Sequence, residues 1–345
     1  MNEVRVAMLG FGGIAKSHKR GYEILAEQNA PVKLVAICDI NPDAFTSNPS
    51  INLGKGMTGN LEGIATYTDL DKMLAEVEFD MVDICLPTYL HKEYAIRMMR
   101  AGKHVLSEKP MGLTYAECEE MVRVSKEENK RLMIGQCLRF EPSYVYLKQC
   151  IDDGRFGKLK TLSMDRMSAA PIWGFENWFG DDTKSGGAIL DLHIHDIDMA
   201  RFLLGEPEAV STVAVEGWTR WSYCNTRLYY SDLPVFATGS WNESRATPFM
   251  MGFRARFEKA AVIMGMDGVK VCPDELGAKP YAPELPGVAE KRGNRMAEEI
   301  RYIASLILDP EKVNDYNPPE SAAKTVALVE KLRESADKNG EIISL

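Results

Sequence analysis

Several features that mark other classes of protein are missing from this chain of 345 residues. It has no Cys-x-x-Cys pair, no basic tract, and no apolar run near the roughly 18 residues that cross a membrane. The net charge of -9 without a basic tract argues against a nucleic-acid surface. No apolar signal segment precedes the first strand pattern at Val4. We therefore expect a cytoplasmic protein that binds neither membrane nor nucleic acid, with its seven cysteines reduced.

What is present is an ordinary globular composition arranged as two domains. Strand patterns at 4–9, 34–38, 81–86 and 132–136 alternate with helical patterns at 14–26, 70–76 and 115–129, which predicts a doubly wound parallel sheet of Rossmann type over residues 1–136. Residues 137–345 show mixed patterns, with strands near 161–167, 209–216, 227–230 and 253–257 and a last helix at 321–339. The fold class is therefore α/β, with a second domain of α+β type. Segments 41–65 and 273–294 are predicted loops.

The first chemical motif is a glycine-rich turn between a predicted strand and a predicted helix, formed by Gly10, Phe11, Gly12, Gly13, Ile14 and Ala15. Gly10 permits the tight turn, and Gly12 lets the backbone approach a pyrophosphate at the helix N-terminus. Asp39 ends the next strand, where a carboxylate accepts hydrogen bonds from a ribose diol and repels a 2′-phosphate. We predict NAD rather than NADP, with Lys16 and Lys19 as the remaining candidates for a phosphate contact. The alternative is a tight turn without a ligand.

The second motif is a buried strand pattern that ends at Lys109, followed by Pro110. Pro110 biases Lys109 towards an extended backbone. Parallel sheets place ligands at the carboxyl ends of their strands, so Lys109 stands where chemistry is expected. The alternative is a solvated lysine at a strand exit, which is common.

The third motif spans residues 185–198 and contains Asp191, His193 and His195. A strand would place all three on one face and suit a metal site. A helix would bring Asp191 and His195 together and turn His193 away. Because the apolar run continues without a turn signal to Gly205, we predict a helix and no metal, with Asp191 orienting His195 as a general base. The alternative is a hydrogen-bonded pair without a catalytic part.

These motifs together resemble the Gfo/Idh/MocA oxidoreductases, and most of all their inositol dehydrogenase-like branch, over residues 10–18, 86–91, 102–110 and 186–195. The resemblance implies a C-terminal domain on a large, mainly antiparallel sheet that is often used for oligomerisation, and hence a homodimer or homotetramer. It also implies NAD-dependent oxidation of a secondary hydroxyl on a cyclic polyol or sugar. An NAD-dependent glycosidase of the same fold, or an NAD(P)-binding regulator without turnover, are the alternatives.

Carried over residue by residue, the resemblance makes Lys109 the cation beside the nicotinamide and the reacting hydroxyl. It makes His195 the general base and Asp191 its orienting partner. It also implies a cis peptide between Lys109 and Pro110. Further cofactor contacts are expected from Leu86, Pro87, Thr88, His91 and Glu108.

The chain departs from the family pattern at several places. Thr88 and Tyr89 stand where many relatives have an asparagine-containing turn, and His193 occupies a position that is often small or apolar. We expect His193 to be packed rather than catalytic. The connection 41–63 is longer than in relatives, and we expect it to alter the adenosine side or to cover the cleft.

Three further side chains are candidate substrate contacts. Trp173 and Trp178 have faces that suit the C–H surfaces of a sugar, and Arg139 suits hydroxyls or a carboxylate. For the two tryptophans, the alternative is packing between domains.

Overall fold

The computed structural model describes residues 2–47, 50–51, 54–55 and 60–345, and the first third of the chain is built around one parallel sheet. The strands of this part are β1 (Val4–Leu9), β2 (Val32–Cys38), β3 (Ser50–Ile51), β4 (Gly54–Lys55), β5 (Ala65–Tyr67), β6 (Met81–Ile84), β7 (His104–Glu108) and β8 (Leu132–Gly135). β3 and β4 pair with each other, and the other six form the sheet in the order β5-β2-β1-β6-β7-β8. The order reverses beside β1, which is where such sheets bind ligands. Part of the predicted 41–63 loop lies outside the described residues.

Helices flank this sheet on both sides, which explains why β1, β6 and β8 are apolar almost throughout. Two of the helices begin at residues whose side chains accept a backbone N–H of the first turn, Asp69 and Thr114. The helices are α1 (Gly13–Glu27), α2 (Leu70–Glu76), α3 (Thr88–Arg100) and α4 (Tyr115–Glu127). The predicted Rossmann-type alternation is confirmed.

The rest of the chain forms an eight-stranded sheet. Its strands are β9 (Leu159–Met167), β10 (Ala209–Val215), β11 (Tyr223–Tyr230), β12 (Leu233–Ser240), β13 (Met250–Phe257), β14 (Ala260–Gly265), β15 (Gly268–Pro273) and β16 (Ile343–Ser344). The order is β15-β14-β13-β9-β12-β11-β10-β16, and neighbouring strands are antiparallel except for β9 and β12. The expected large, mainly antiparallel sheet is confirmed.

Six more helices complete the fold: α5 (Pro142–Asp153), α6 (Asp182–Ser185), α7 (Gly187–Asp191), α8 (Ile194–Leu204), α9 (Arg295–Leu308) and α10 (Pro319–Asp337). α8 packs on β9 and β12, and α10 packs on β10, so helices cover one face of the large sheet. The other face carries exposed apolar side chains, among them Val213, Val215 and Phe236.

Helix α9 does not follow the predicted division of the chain at residue 136. It packs against α1, β1 and β7, and Ala297, Ile300 and Ile303 share a buried core with Val4 and Met8. The N-terminal sheet is therefore completed by a helix that lies some 160 residues beyond its last strand, as judged from Gly135 and Arg295. The unit around the first sheet is not a single stretch of sequence.

The motif at 185–198, predicted as one helix that continues towards Gly205, forms two helices in the structure. α7 ends at Asp191 and α8 begins at Ile194. Between them the N–H groups of Leu192 and His193 both donate to the carbonyl oxygen of Ala188, which widens the turn. The segment is helical rather than a strand, but the regular spacing of Asp191 and His195 is interrupted.

Two predictions made from composition can be compared with the structure. Each of the seven cysteines is a free thiol. Across the described ranges, none of the helices has the length and apolar character needed to span a bilayer.

Candidate active site

The glycine-rich turn lies where β1 meets α1. Gly10 has a φ of +86°, and a Cβ atom there would stand 2.7 Å from the carbonyl oxygen of Cys85, so only glycine fits. Gly12 precedes α1, and within the described part of the chain a Cβ placed on it meets no atom within 4 Å outside its own neighbours. This open space in front of a helix N-terminus suits a pyrophosphate.

Asp39 lies directly beyond β2 and is tied to the same turn. Its Oδ2 accepts the N–H of Phe11 at 2.6 Å, and its Oδ1 accepts the N–H of Asn41 at 2.8 Å. A carboxylate has about four acceptor positions, so about two remain for a ribose diol. The arrangement fits the dinucleotide that the sequence predicts.

The two lysines that could have favoured a 2′-phosphate have other contacts. Lys16 donates to the carbonyl oxygen of Ser47, and Lys19 pairs with Glu23. Both lysines are buried. Neither ammonium group is therefore held ready for a phosphate beside Asp39.

Two buried polar atoms near the carboxyl edge of the sheet have no hydrogen-bond partner within the described ranges. They are Oγ1 of Thr88, at the start of α3, and Nε2 of Gln136, directly after β8. Unpaired buried polar atoms are rare, so they are candidate contacts for a polar ligand. Thr88 was predicted as a cofactor contact, whereas Gln136 was missed. Its place directly after a strand of a parallel sheet was the available signal.

Lys109 and Asp191 meet across the two parts of the fold. The Lys109 ammonium donates to the Asp191 carbonyl oxygen at 2.8 Å and to Oδ1 at 3.2 Å. The two side chains are 14% and 11% exposed. The Lys109–Pro110 peptide is cis. Burial raises the pKa of Asp191, and the charge of Lys109 partly offsets that effect.

His195 lies within the field of the same lysine. Burial, followed by the charges of Lys109, Arg166 and Arg295, holds the pKa of His195 well below its usual value of 6.5. Its Nδ1 atom is buried and is unpaired among the residues that the structure describes. The imidazole is therefore neutral at pH 7 and able to accept a proton.

The Asp191 carboxylate bonds to Lys109, and among the described residues it forms no hydrogen bond with His195, its predicted partner. The break between α7 and α8 explains the difference. His193 is packed as expected: it is fully buried, and its Nε2 lies 2.9 Å from Oγ1 of Thr226. Burial, with a smaller contribution from Arg166, lowers the pKa of His193 to about 3.

The side chains of Glu108 and His91, two predicted cofactor contacts, bond to neighbouring loops of the protein. The Glu108 carboxylate lies 2.8 Å from the His18 ring and accepts the N–H of Lys109 at 3.0 Å. The two ring nitrogens of His91 lie 2.7 Å from the Pro110 carbonyl oxygen and 2.8 Å from that of Leu86. Both side chains therefore hold the loops of the site in place.

Arg139, a predicted substrate contact, has its guanidinium bonded to groups within the protein. Its Nε and Nη2 atoms bond to the Asp198 carboxylate at 2.9 and 2.7 Å, and Nη1 donates to the carbonyl oxygen of Tyr316 at 3.1 Å. The residue is 2% exposed. All three guanidinium nitrogens are therefore used inside the core.

Trp173 and Trp178 belong to an aromatic cluster beside α7. Trp173 packs edge-on against Phe179, Trp178 stacks on it at 3.9 Å between ring centroids, and Trp241 completes the group. The cluster also contains Ala188 and Leu192, which flank Asp191 in sequence. The ring contacts of both tryptophans therefore lie with residues of the second part of the chain.

Two family models match the chain. The oxidoreductase family with an NAD-binding Rossmann fold, Gfo/Idh/MocA, covers residues 4–136, and the Gfo/Idh/MocA C-terminal domain covers residues 144–246.

Among curated relatives, the inositol 2-dehydrogenase of Rhizobium meliloti is 35% identical over 213 residues, which is 61% of this chain and 58% of that protein. The myo-inositol 2-dehydrogenase of Thermotoga maritima is 29% identical over 203 residues, which is 59% of this chain and 55% of that protein. The chain thus aligns with little more than half the length of these two relatives.

Among solved structures, levoglucosan dehydrogenase in complex with NADH and levoglucosan has a TM-score of 0.83 and 19% identity, and the alignment covers 99% of both chains. That similarity shows a shared fold.

Proposed function

The chain belongs to the Gfo/Idh/MocA oxidoreductase family, and we propose that it is an NAD-dependent dehydrogenase that transfers a hydride between a secondary hydroxyl of a cyclic polyol or sugar and nicotinamide. The observation that carries the proposal is the Lys109–Asp191 pair with His195 beside it, at the same sheet edge as the glycine-rich turn. One site thus offers a cation, a neutral base and a dinucleotide turn.

Lys109 is the group that stabilises charge in this mechanism. NAD, when bound, supplies the hydride acceptor. Negative charge builds on the substrate oxygen as the hydride leaves, and an ammonium in a mostly buried position stabilises that charge more strongly than it would in water. The contacts to the carbonyl and carboxylate oxygens of Asp191 fix the ammonium in place.

His195 is the group that takes the hydroxyl proton. Because its pKa is held well below 6.5, the ring is neutral at pH 7, and one of its two nitrogens can accept a proton. The cations that make it a weak base also lower the proton affinity of the alcohol between them. The proton affinities of the base and of the alcohol are therefore lowered together.

The aromatic cluster supports a sugar or cyclic polyol as the substrate. Trp173 is half-buried beside α7, and its Nε1 is a buried donor without a partner in the described part of the chain. An indole face packs on C–H groups while its N–H donates to a hydroxyl. The inositol dehydrogenases among the relatives support the same substrate class.

Self-association through the large sheet is part of the proposal. Val213, Val215 and Phe236 lie on the face opposite the helices and are 57%, 52% and 39% exposed. Exposed apolar faces of this kind mark interfaces. Light scattering should give a mass of two or four chains for the wild type, with a lower mass for Val213→Lys. A monomeric wild type would contradict this part of the proposal.

The test of the function is a turnover screen across inositols, aldoses and sugar acids, with NAD and NADP in parallel, following NADH absorbance. We expect net NADH formation with an inositol or sugar and much weaker turnover with NADP. Glycosidic cleavage without net NADH would favour the glycosidase, and cofactor binding without any turnover would favour a regulator.

A further inference from the structure

A buried group of ionisable side chains lies beneath the loop that carries Lys109, and the mechanism above does not use it. His18 comes from α1, Asp83 from β6, Glu108 from the end of β7 and Glu299 from α9. Their exposures are 0%, 0%, 5% and 0%. Buried charges destabilise a fold unless they are paired, so such a group calls for a physical reason.

The contacts form a continuous chain from α1 to the catalytic loop. Tyr22 donates to Oδ2 of Asp83 at 2.9 Å, and His18 Nδ1 lies 2.9 Å from the same oxygen. His18 Nε2 lies 2.8 Å from Oε1 of Glu108, whose Oε2 accepts the N–H of Lys109 at 3.0 Å. The Glu108 carboxylate therefore links the His18 ring directly to the backbone of Lys109.

Both ring nitrogens of His18 face carboxylate oxygens, and an imidazolium donates to both while its charge pairs with theirs. Burial is the largest influence on the pKa of His18 and would lower it, but the charge of Asp83, the hydrogen bond to it and the smaller influence of Cys85 together raise the pKa well above 6.5. Glu299 faces Glu108, His18 and Asp83 without a hydrogen bond to either oxygen within the described residues. Burial and the charge of Glu108 raise the pKa of Glu299 well above its usual range.

We propose that His18 is a positioning residue for Lys109: as an imidazolium bridging Asp83 and Glu108, it fixes the carboxylate that holds the Lys109 backbone. The bridge couples α1, which begins at the dinucleotide turn, to the loop that carries the catalytic ammonium. The expected effect on turnover rests on the proposed function, whereas the bridge from His18 to the Lys109 backbone does not. The proposal gives a structural role to His18, the last residue of the 10–18 motif.

A metal site is the competing interpretation, because the ligand atoms of His18, Asp83 and Cys85 lie within 4.8 Å of one another. The geometry favours hydrogen bonds instead, since each ring nitrogen points at a carboxylate oxygen at 2.8–2.9 Å. Burial raises the pKa of Cys85 to about 12, which keeps the thiol protonated. Metal analysis of the purified protein should therefore find no stoichiometric ion, and one ion per chain would overturn the inference.

The direct test uses the wild-type protein labelled with ¹⁵N at its five histidines. The pKa values of His91, His104, His193 and His195 are all lowered, chiefly by burial. At pH 8.5 we expect the His18 ring, assigned by the loss of its signals in His18→Gln, to carry a proton on both nitrogens, and the rings of His104, His193 and His195 to be neutral. A neutral His18 ring would overturn the inference, whether or not the protein turns over any polyol.

A variant pair tests the kinetic consequence. His18→Gln should lower kcat by about 10- to 100-fold, as small displacements of a catalytic group do, while the Kd for NADH stays within about threefold. Hydrogen exchange of the Lys109 amide should become faster in the same variant. His104→Gln is the matched control. His104 begins β7, the strand that ends at Glu108, and it accepts the N–H of Arg131. Equal kcat and equal Lys109 exchange in the two variants would overturn the positioning role.

Discussion

The Lys109–Asp191 pair gives the sharpest quantitative prediction, because in the proposed mechanism one ion pair serves both stability and catalysis. At 3.2 Å, Coulomb's law with an effective dielectric constant of about 20 gives about 5 kcal/mol of attraction. Both side chains are mostly buried, so desolvation offsets part of that energy. Removing one partner of such a pair destabilises a protein by about 3–5 kcal/mol, because the other charge stays buried alone.

Lys109→Met should therefore reduce both turnover and stability. Loss of a donor that stabilises a developing oxyanion reduces kcat by about 10²- to 10³-fold. The free energy of unfolding should fall by about 3 kcal/mol at pH 8. The loss should be smaller at pH 5, because Asp191 already has a raised pKa and a protonated carboxyl needs no counter-ion. A raised folded-state pKa gives stability at low pH that is lost as the pH rises through it.

The double variant K109M/D191N separates the two effects. It has no unpaired charge, so it should be more stable than K109M by about 2 kcal/mol while its turnover stays as low. Urea unfolding measures stability, and steady-state NADH formation measures turnover. Lys92→Met, which breaks the solvent-facing ion pair of Lys92 with Glu120 at 3.5 Å, is the matched control. Turnover retained in K109M would refute the role of Lys109, and a double variant no more stable than K109M would refute the coupling.

Three further predictions concern histidine chemistry and the turn. His195→Gln should lower kcat by about 10²- to 10⁴-fold. Because the pKa of His195 is lowered, kcat/KM of the wild type should stay level as the pH falls past 6.5. A fall in wild-type kcat/KM near pH 6.5 that is absent from the variant would contradict the lowered pKa. His193, with a pKa of about 3, should lower the free energy of unfolding of the wild type by about 1.4 kcal/mol per pH unit below 6.5, because only the unfolded chain gains that proton. Urea unfolding should show a shallower dependence of stability on pH for His193→Gln. Identical pH dependence in the two proteins would contradict this prediction. Gly10→Ala should abolish NADH binding in fluorescence titrations, because the added Cβ meets the Cys85 carbonyl oxygen. Gly102→Ala, also at positive φ but facing open space, should bind NADH normally. Similar NADH affinities for the two variants would contradict the role of the Gly10 turn in cofactor binding.

Local patterns predicted the first sheet well, because each strand and helix there lies close in sequence to its neighbours. The same patterns could not place α9. Ile300, Ile303 and Ile307 repeat with helical spacing, but spacing does not tell which distant sheet buries them. The helix therefore had to be located in three dimensions.

The candidate site shows a similar division. Motif and resemblance single out Lys109 and His195 as candidate catalytic residues, but their partners depend on the turn between α7 and α8, where Ala188 accepts two N–H groups. At that turn the Asp191 carboxylate bonds to Lys109. The buried ion pair of Arg139 with Asp198, 59 residues away, could not be predicted because it leaves no mark in a local pattern.

Direct observation of hydride transfer tests the central claim. The wild-type protein is incubated with NAD and an inositol or sugar that the screen selects, carrying deuterium on its hydroxyl-bearing carbons, and the reduced cofactor is analysed by mass spectrometry. We predict NADH that carries one deuterium from the substrate. NADH without deuterium, or no reduced cofactor with any polyol or sugar while NAD still binds, would contradict the proposed dehydrogenase.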